Sequence, residues 1–282
     1  TLICVTGTDG KTTVSNLLAT VLQNNGYTVT NNSYGSNICE GVVSALLTDA
    51  TFSGKPKKQV GVLEVDERSS LKVYKYLTPD ILICNNIMRD SLKRNAHTEF
   101  ICYILNKQLP SSTKVVLNAD DLICSGLFPN NKDRTYFGVS ADRPENGAAT
   151  DEALRDIVYC PKCGAKLETE YVRYNHIGRH HCSSCGFASP KPDYDVTAIN
   201  REKGTFTVTH NGVDEEYKIV NDNIINIYNS CAVISVLHTF GLDYEKIHNA
   251  FETVKIVSSR FDIKKVGDYT IIGQLAKGQN PV

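Results

Sequence analysis

Features that would mark a membrane protein or a nucleic-acid-binding protein are missing from this sequence. No apolar run approaches the length of about 18 residues that a membrane-spanning helix requires. No basic leader precedes the first apolar segment, so we expect no secretion signal. The 30 Lys and Arg residues are balanced by 31 Asp and Glu residues, which argues against binding to bulk nucleic acid. These absences predict a cytoplasmic protein without a transmembrane segment.

An initiator methionine and a disulfide framework are also lacking. The chain opens at Thr1 on a segment typical of a buried strand, so we expect further residues upstream. Of the ten cysteines, four form two C-x2-C pairs and the other six lie mostly in apolar or helix-like segments. This distribution favours the reduced thiols of a cytoplasmic protein over the disulfides of a secreted one.

Short apolar runs alternate with helix-like segments over residues 1–141. The segment of residues 11–25 places apolar residues at helical spacing and ends at Gly26, which predicts a helix with a glycine stop. Alternation of this kind predicts βαβ units and a mainly parallel sheet, hence an α/β fold. The strand-like runs are residues 2–6, 60–65, 81–85, 114–118 and 135–139.

The rest of the chain interrupts this α/β pattern and then resumes it. Residues 142–220 contain a polar linker, a cysteine module and three strand-like segments typical of a small antiparallel ribbon. Residues 221–276 show helical spacing again and are predicted to return to the first unit. At 282 residues the chain is long enough for two compact units.

A glycine-rich segment, VTGTDGKTT at residues 5–13, lies between the first predicted strand and the first predicted helix. In such a segment backbone N–H groups turn toward an anion, and the helix N-terminus adds a partial positive charge. Lys11 is expected to reach the outer phosphates of ATP, and the Thr12 hydroxyl to ligate Mg²⁺. The predicted phosphate contacts are Gly7, Thr8, Asp9, Gly10, Lys11, Thr12 and Thr13.

Acidic residues end the strand predicted over residues 60–65. A carboxylate at the C-terminal edge of a strand beside a phosphate loop commonly holds the metal. We therefore expect Glu64 to bind Mg²⁺ together with Thr12. For Asp66 and Glu67, a metal role and a solvated loop position are equally compatible with the sequence.

Two C-x2-C pairs, each followed by glycine, are typical of a zinc ribbon. Four thiolates close a tetrahedral Zn²⁺ site without an open position, so the zinc is expected to be structural, although a histidine between the pairs stays an alternative ligand. The module supplies none of the predicted phosphate contacts. We therefore expect loss of a zinc ligand to destabilise residues 158–192 and to leave nucleotide affinity largely intact. The predicted zinc ligands are Cys160, Cys163, Cys182 and Cys185.

The phosphate loop departs from the general P-loop pattern, since Val5 stands where that pattern has glycine. The shorter form, TGT-x-GKTT, resembles the Mur ligase and folylpolyglutamate synthase superfamily. The resemblance continues in order through NSYGSN at residues 32–37 and the NADD turn at residues 118–121. It implies that Asn226 meets the adenine and that Arg260 contacts the γ-phosphate.

One position separates this chain from the amino-acid-adding members of that superfamily. In those members the strand that matches residues 81–85 is followed by a stretch ending in an Asp-His pair, whose histidine helps to bind a second metal, whereas here Asp90 is followed by Ser91. Together with the inserted ribbon, this change resembles the MurT branch of the family, the ligase-like subunits of lipid II isoglutaminyl synthases. The resemblance further implies that residues 277–282 begin a linker to a C-terminal domain.

Membership of this branch implies a complete reaction. ATP phosphorylates the α-carboxylate of the D-glutamate in lipid II, and ammonia from a GatD-type glutaminase partner attacks the acyl phosphate to give D-isoglutamine. The site lies at the inner face of the membrane, and Mg²⁺ and a structural Zn²⁺ accompany ATP. The catalytic residues would be Lys11, Glu64 and Arg260.

Two other functions stay open on the sequence. An amino-acid-adding Mur or folylpolyglutamate-type ligase would share the phosphate loop, but Ser91 and the ribbon count against it. A nucleic-acid-binding ATPase would use the ribbon as a reader, but the basic residues within residues 173–179 have no basic surroundings elsewhere. We therefore expect no nucleic-acid partner.

Overall fold

A nine-stranded sheet organises the chain in a computed structural model that describes residues 1–33, 36–89, 97–144, 157–254, 261–267 and 269–274. The strands in chain order are β1 Leu2–Thr6, β2 Val29–Asn31, β3 Val60–Glu64, β4 Ile81–Cys84, β5 Lys114–Asn118, β6 Arg134–Val139, β7 Glu168–Tyr174, β8 Ile177–His181, β9 Tyr194–Asn200, β10 Thr205–His210, β11 Val213–Lys218, β12 Phe261–Val266 and β13 Tyr269–Gln274. The helices are α1 Lys11–Asn24, α2 Cys39–Thr48, α3 Ser70–Val73, α4 Thr98–Gln108, α5 Leu122–Ser125, α6 Ile224–Phe240 and α7 Tyr244–Thr253.

Strand β1 lies at the centre of a parallel arrangement. It pairs in parallel with β3 on one side and β4 on the other, and β2, β5 and β6 extend this pattern outward. The strand order of the whole sheet is β11-β10-β9-β6-β5-β4-β1-β3-β2. Because parallel strands end at the same edge of a sheet, the residues that follow β1, β3 and β4 meet there. The predicted α/β fold with a mainly parallel sheet is confirmed.

Helices α1 and α6 cover one face of the sheet. Helix α1 buries Val14, Leu17, Leu18 and Val21 on one side, as its apolar spacing predicts. It ends before Gly26, whose positive φ of 83° is a conformation that glycine adopts without steric cost. Helix α6 is apolar around its circumference because it lies between the sheet and both α1 and α7.

The antiparallel strands β9 to β11 extend the main sheet. The sequence grouped them with the cysteine module as a small ribbon of their own, and the antiparallel pairing is confirmed. Strand β9, however, pairs in parallel with β6, and Val208 and Tyr217 are buried in the same core as α6 and α7. The ribbon joins the sheet because its alternating apolar face packs beneath these helices. The division of the chain at residues 142, 221 and 277 stays a prediction.

Strands β7 and β8 form a separate antiparallel hairpin between the two C-x2-C pairs. Strands β12 and β13 form another, which the sequence patterns did not predict. Across the described part of the chain, no helix has the length and apolar character that crossing a bilayer requires.

Candidate functional site

Two glycines give the phosphate loop its shape. Gly7 and Gly10 have φ values of 122° and 82°, a region that glycine enters far more readily than other residues. A Cβ atom on Gly7 would lie 2.9 Å from the carbonyl oxygen of Asn86, and one on Gly10 would lie 2.4 Å from Oδ1 of Asn229. Both positions therefore require glycine for backbone conformation and for space.

The segment after β4 holds the loop in place. The Asp9 N–H donates to Oδ1 of Asn86 at 2.9 Å, and the side-chain amides of Asn85 and Asn86 donate to the Asp9 carbonyl at 3.2 and 3.3 Å. The Thr8 hydroxyl donates to the carbonyl of Met88 and accepts from its N–H, at 3.1 and 2.8 Å. The loop is therefore organised before an anion binds, which reduces the ordering cost of binding.

Lys11 is buried at the start of α1 and forms an ion pair with Glu67. Its Nζ lies 3.1 Å from Oε1 of Glu67, and it also donates to the carbonyls of Gly7 and Thr8. The side chains of Lys11 and Glu67 are only 10% and 3% exposed. Burial lowers the pKa of Lys11, but the Glu67 carboxylate outweighs it and the pKa is raised. Burial raises the pKa of Glu67, while Lys11 opposes that shift. Glu67 is thus a buried partner of the lysine, not a solvated loop acid.

Glu64 and Thr12 are brought together as the sequence predicts. The Thr12 hydroxyl donates to Oε2 of Glu64 at 2.8 Å, and the Asn37 amide donates to Oε1 at 3.0 Å. Asn32 fixes the backbone of Glu64 through two hydrogen bonds. Its Oδ1 accepts from the Glu64 N–H at 2.8 Å, and its side-chain amide donates to the Glu64 carbonyl at 2.9 Å. Oxygen atoms of this kind are the ligands that Mg²⁺ prefers, so the donor set fits that metal.

The first turns of α6 reach the phosphate loop. The helix begins two residues before the predicted Asn226, because the Asn223 side chain caps it by accepting from the Ile225 N–H at 2.9 Å. Asn229 lies against Gly10 and its amide donates to Oδ1 of Asn226 at 3.4 Å. Asn226 is therefore linked to the loop through Asn229, one helical turn away.

The four cysteines converge. Their Sγ atoms all lie within 4.8 Å of one another. The closest pairs, Cys160 with Cys185 and Cys163 with Cys182, are 3.6 and 3.5 Å apart. These distances exceed the roughly 2.05 Å of a disulfide. They are close to the edge of about 3.8 Å that a tetrahedron with Zn–S bonds of about 2.3 Å has.

The two C-x2-C pairs form matching turns. Gly164 N–H donates to the Cys160 carbonyl, and Gly186 N–H donates to the Cys182 carbonyl, both at 2.9 Å. Both glycines have positive φ, 75° and 71°. Burial raises the pKa of Cys160, but backbone N–H groups, among them that of Lys162, outweigh it and lower the pKa to about 7. The pKa of Cys163 is instead raised to about 12, because a backbone hydrogen bond that lowers it is outweighed by the neighbouring cysteine sulfurs. A bound metal ion would stabilise the thiolate form of both residues.

The intervening histidines bind other groups. His176 Nε2 lies 3.1 Å from Oδ1 of Asp121, and His180 Nδ1 lies 3.1 Å from the Thr169 hydroxyl. His181 contacts Glu168 at the surface, at 3.1 Å. In the described parts of the chain, the one cluster of three or more ligand groups consists of the four cysteines.

The sequence and the fold of this chain both match those of a known protein family. Residues 5–183 match the Mur ligase middle domain, a stretch that includes the phosphate loop, Glu64 and three of the four cysteines. The chain belongs to the Mur ligase family. Its fold resembles that of a pseudomurein peptide ligase type C from Methanothermus fervidus, with a TM-score of 0.72 and 24% identity over 98% of this chain and 53% of that one.

Curated relatives of this Mur ligase chain include subunits of a two-component enzyme. The lipid II isoglutaminyl synthase subunit MurT of Staphylococcus aureus is 32% identical over 89% of this chain and 55% of the relative. The subunit of the same name from Streptococcus pneumoniae is 29% identical over the whole chain and 62% of the relative. The chain thus spans between about half and two thirds of the length of these relatives.

The Mur ligase site contains more side chains than the sequence patterns singled out. Gly7 to Thr13, Glu64 and Asn226 lie around the start of α1, whereas Arg260, Ser91 and Lys277 lie outside the described residues. Most of the contributors without a role assigned from sequence are polar residues that follow a buried strand, whereas Asn229 lies in the second turn of α6. They are Asn32, Asn37, Glu67, Asn85, Asn86 and Asn229.

Proposed function

We propose that this chain is the nucleotide-binding part of an ATP-dependent carbon-nitrogen ligase that amidates lipid II in peptidoglycan synthesis. The observation that carries this proposal is the 2.8 Å contact between Thr12 and Glu64 beside the buried Lys11, at the strand edge of a Mur ligase fold. The MurT relatives supply the reaction class, since their name describes a glutamine-hydrolysing lipid II isoglutaminyl synthase.

The proposed reaction has two steps. An oxygen of the α-carboxylate of D-glutamate attacks the γ-phosphorus of ATP, the bond to the β-phosphate oxygen breaks, and ADP leaves. The nitrogen of ammonia then attacks the acyl carbon, the bond to the phosphate oxygen breaks, and phosphate leaves as a proton is lost from nitrogen. The product is the amide, D-isoglutamine.

The residues of this chain contribute charge neutralisation and positioning. Lys11 would approach the outer phosphates, and the pair with Glu67 keeps it protonated in a buried position. Thr12 and Glu64 would hold Mg²⁺, which neutralises phosphate charge when bound. Asn226 would contact the adenine.

The remaining parts of the proposal concern partners and metals. A GatD-type glutaminase would supply ammonia, and lipid II would be met in the cytoplasm at the inner face of the membrane. Arg260 would contact the γ-phosphate. Zinc would occupy the four-cysteine cluster as a structural ion, because four sulfur ligands leave no open position.

Amidation of purified lipid II by the full-length protein tests this function directly. The protein is combined with a glutaminase partner, glutamine and ATP, and the stem peptide is analysed by mass spectrometry for replacement of one OH by NH₂. A matched reaction with ammonium salt and no partner separates ligase activity from ammonia supply. ADP formation without amidated product would overturn the proposed substrate.

An amino-acid-adding ligase is the second candidate, since the pseudomurein peptide ligase shares the fold. Parallel reactions that supply free amino acids in place of ammonia distinguish the two, because the product mass then rises by an amino-acid residue.

The nucleic-acid alternative receives less support, since both arginines of the hairpin contact acceptors of this chain. Arg173 donates to the Val139 carbonyl, and Arg179 to Asp120. A filter-binding assay at low salt measures nucleic-acid binding and so tests that alternative.

A further inference from the structure

The hairpin of the cysteine module reaches from the metal ligands to the nucleotide site. Its strands β7 and β8 connect the two C-x2-C pairs, with Cys182 directly after β8. Its tip, Asn175 and His176, lies at the other end of the hairpin from the cysteines. The tip contacts the segment after β4, which also holds the phosphate loop.

One contact from the tip is a buried pair. His176 Nε2 lies 3.1 Å from Oδ1 of Asp121, and the two side chains are 1% and 0% exposed. The other carboxylate oxygen, Oδ2, accepts from the Ile87 N–H at 2.7 Å. Asp121 thereby links the hairpin to the backbone that immediately follows Asn86.

A second contact reaches the loop through one residue. The Asn175 amide lies 2.9 Å from the sulfur of Met88. The backbone of Met88 exchanges two hydrogen bonds with the Thr8 hydroxyl, and Thr8 belongs to the phosphate loop. Asn175 at the hairpin tip is therefore separated from that loop by a single residue of the supporting segment, whereas His176 reaches the same segment through Asp121.

The strand beside the tip is fixed to the same turn. Arg179 Nη1 lies 3.0 Å from Oδ1 of Asp120, and the Gly178 N–H donates to the Asp120 carbonyl at 2.7 Å. A Cβ atom on Gly178 would lie 2.0 Å from the carbonyl oxygen of Tyr171, so the hairpin is tightly closed at this point. The NADD turn at residues 118–121 thus anchors the hairpin along one side.

We propose that the hairpin is a positioning element of the nucleotide site, with His176 as its positioning residue, and that metal binding by the four cysteines and nucleotide binding by the loop strengthen each other. The metal fixes the base of the hairpin, and the tip holds residues 87 and 88 against Thr8. Coupling between two binding sites is reciprocal. This inference rests on the proposed nucleotide function, and it reverses the sequence-based expectation that the ribbon leaves nucleotide affinity intact.

Three variants of the full-length protein test the positioning role. His176→Ala removes the buried contact with Asp121, and His176→Gln retains a side-chain amide that reaches the same carboxylate. His181→Ala is the matched control, because it removes a histidine of the same hairpin that contacts only surface acids in the described structure. The dissociation constant of Mg²⁺-ATP is measured by calorimetry, and zinc per chain by elemental analysis.

We expect His176→Ala to raise the dissociation constant of ATP about tenfold, a typical size for coupling between sites. His176→Gln should restore most of the affinity, and His181→Ala should equal the unmodified protein, with zinc content unchanged in all three. If His176→Ala does not fold, Asn175→Gly takes its place, since glycine tolerates the φ of 48° at that position. Equal affinity in His176→Ala and the unmodified protein would overturn the positioning role.

The reverse direction is measured as metal loss to a chromogenic chelator. Saturating Mg²⁺-ATP should slow zinc release from the unmodified protein, whereas His176→Ala should release zinc at the same rate with and without ATP. A zinc release rate that ATP does not change in the unmodified protein overturns the coupling. Failure of the unmodified protein to bind ATP overturns the proposed function itself, so the two failures are distinguishable.

Discussion

The phosphate loop and the cysteine module hold their functional groups by different means. The loop follows a central strand of the sheet, and its atoms are fixed by residues of the same large core. The module packs in a small cluster of four buried residues, of which two are cysteines of the metal-ligand set and one, Leu122, belongs to α5. The loop is therefore expected to keep its shape without a ligand, whereas the module is expected to depend on a bound metal.

The phosphate loop and the cysteine module also differ in how their charged groups are compensated. Lys11 and Glu67 are buried together, so each compensates the other inside the protein. The four cysteine sulfurs converge, and a metal ion is the partner that would neutralise their thiolates. Removing the cation would leave negative charge without a partner in either region.

The largest expected effect is on ATP turnover in Lys11→Ala. Loss of the cation that is proposed to approach the outer phosphates should lower turnover by about a thousandfold, as for loss of one main transition-state donor. The variant should also lose about 3 kcal/mol of stability, because Glu67 is left buried without its partner. Phosphate release and urea unfolding measure the two effects.

A double variant separates these effects. Combining Lys11→Met with Glu67→Gln removes both buried charges, so stability should return toward that of the unmodified protein while turnover stays low. A folded Lys11→Ala protein with unchanged ATPase activity would contradict the assignment of the phosphate loop.

Metal removal is expected to affect the cysteine module next most strongly. The unmodified protein should contain one zinc per chain, and Cys182→Ser should lack it. In that variant amide protection over residues 158–192 should fall by about a hundredfold, a conservative share of the free energy that structural zinc supplies. Hydrogen exchange with mass spectrometry makes the measurement. Zinc well below one per chain in the unmodified protein contradicts the metal assignment.

A smaller effect is expected for Glu64→Gln. The substitution keeps the shape but removes the charge beside Thr12, so binding of Mg²⁺-ATP should weaken about tenfold while Mg²⁺-free binding changes little. Titrations with and without the metal supply both values, and the same titrations of Asp66→Asn test the metal role that the sequence left open for the neighbouring acid. Equal weakening in both titrations would show that Glu64 does not bind the metal.

Local patterns allowed most of the fold to be predicted. Strands β1 and β5 and the start of α1 agree with the predicted bounds because each is a contiguous apolar or amphipathic segment. The four cysteines were predictable for a similar reason, since each pair lies within one turn. The pairing of β6 with β9 was not, because it joins segments separated by the whole cysteine module.

The same limit applies within the site. The sequence left a metal role and a solvated loop position equally open for Glu67, and only the approach of Lys11 across the sheet edge shows that it is buried as the partner of that lysine. The contact of His176 with Asp121 spans 55 positions of the chain, a separation that no local pattern encodes. The contacts that local sequence patterns did not predict are those between residues far apart in the chain.

The smallest expected effect tests the boundary at which the two regions meet. Asp120 accepts from Tyr228 of α6 at 2.7 Å and from Arg179 of the hairpin at 3.0 Å. Tyr228→Phe should lower the free energy of unfolding by about 1 kcal/mol, the size of one net hydrogen bond.

The cost should also depend on pH. Burial raises the pKa of Asp120 and the Tyr228 hydroxyl opposes that rise. The folded state therefore binds this proton more tightly than the unfolded chain, and its contribution to stability is lost as pH rises through the folded pKa. Since the substitution raises that pKa further, the cost should be greater at about pH 8 than at about pH 5. Urea unfolding at both values measures it, with Tyr244→Phe as the control on a tyrosine that does not contact Asp120. No loss of stability relative to the unmodified protein at either pH would contradict a carboxylate shared between α6 and the hairpin.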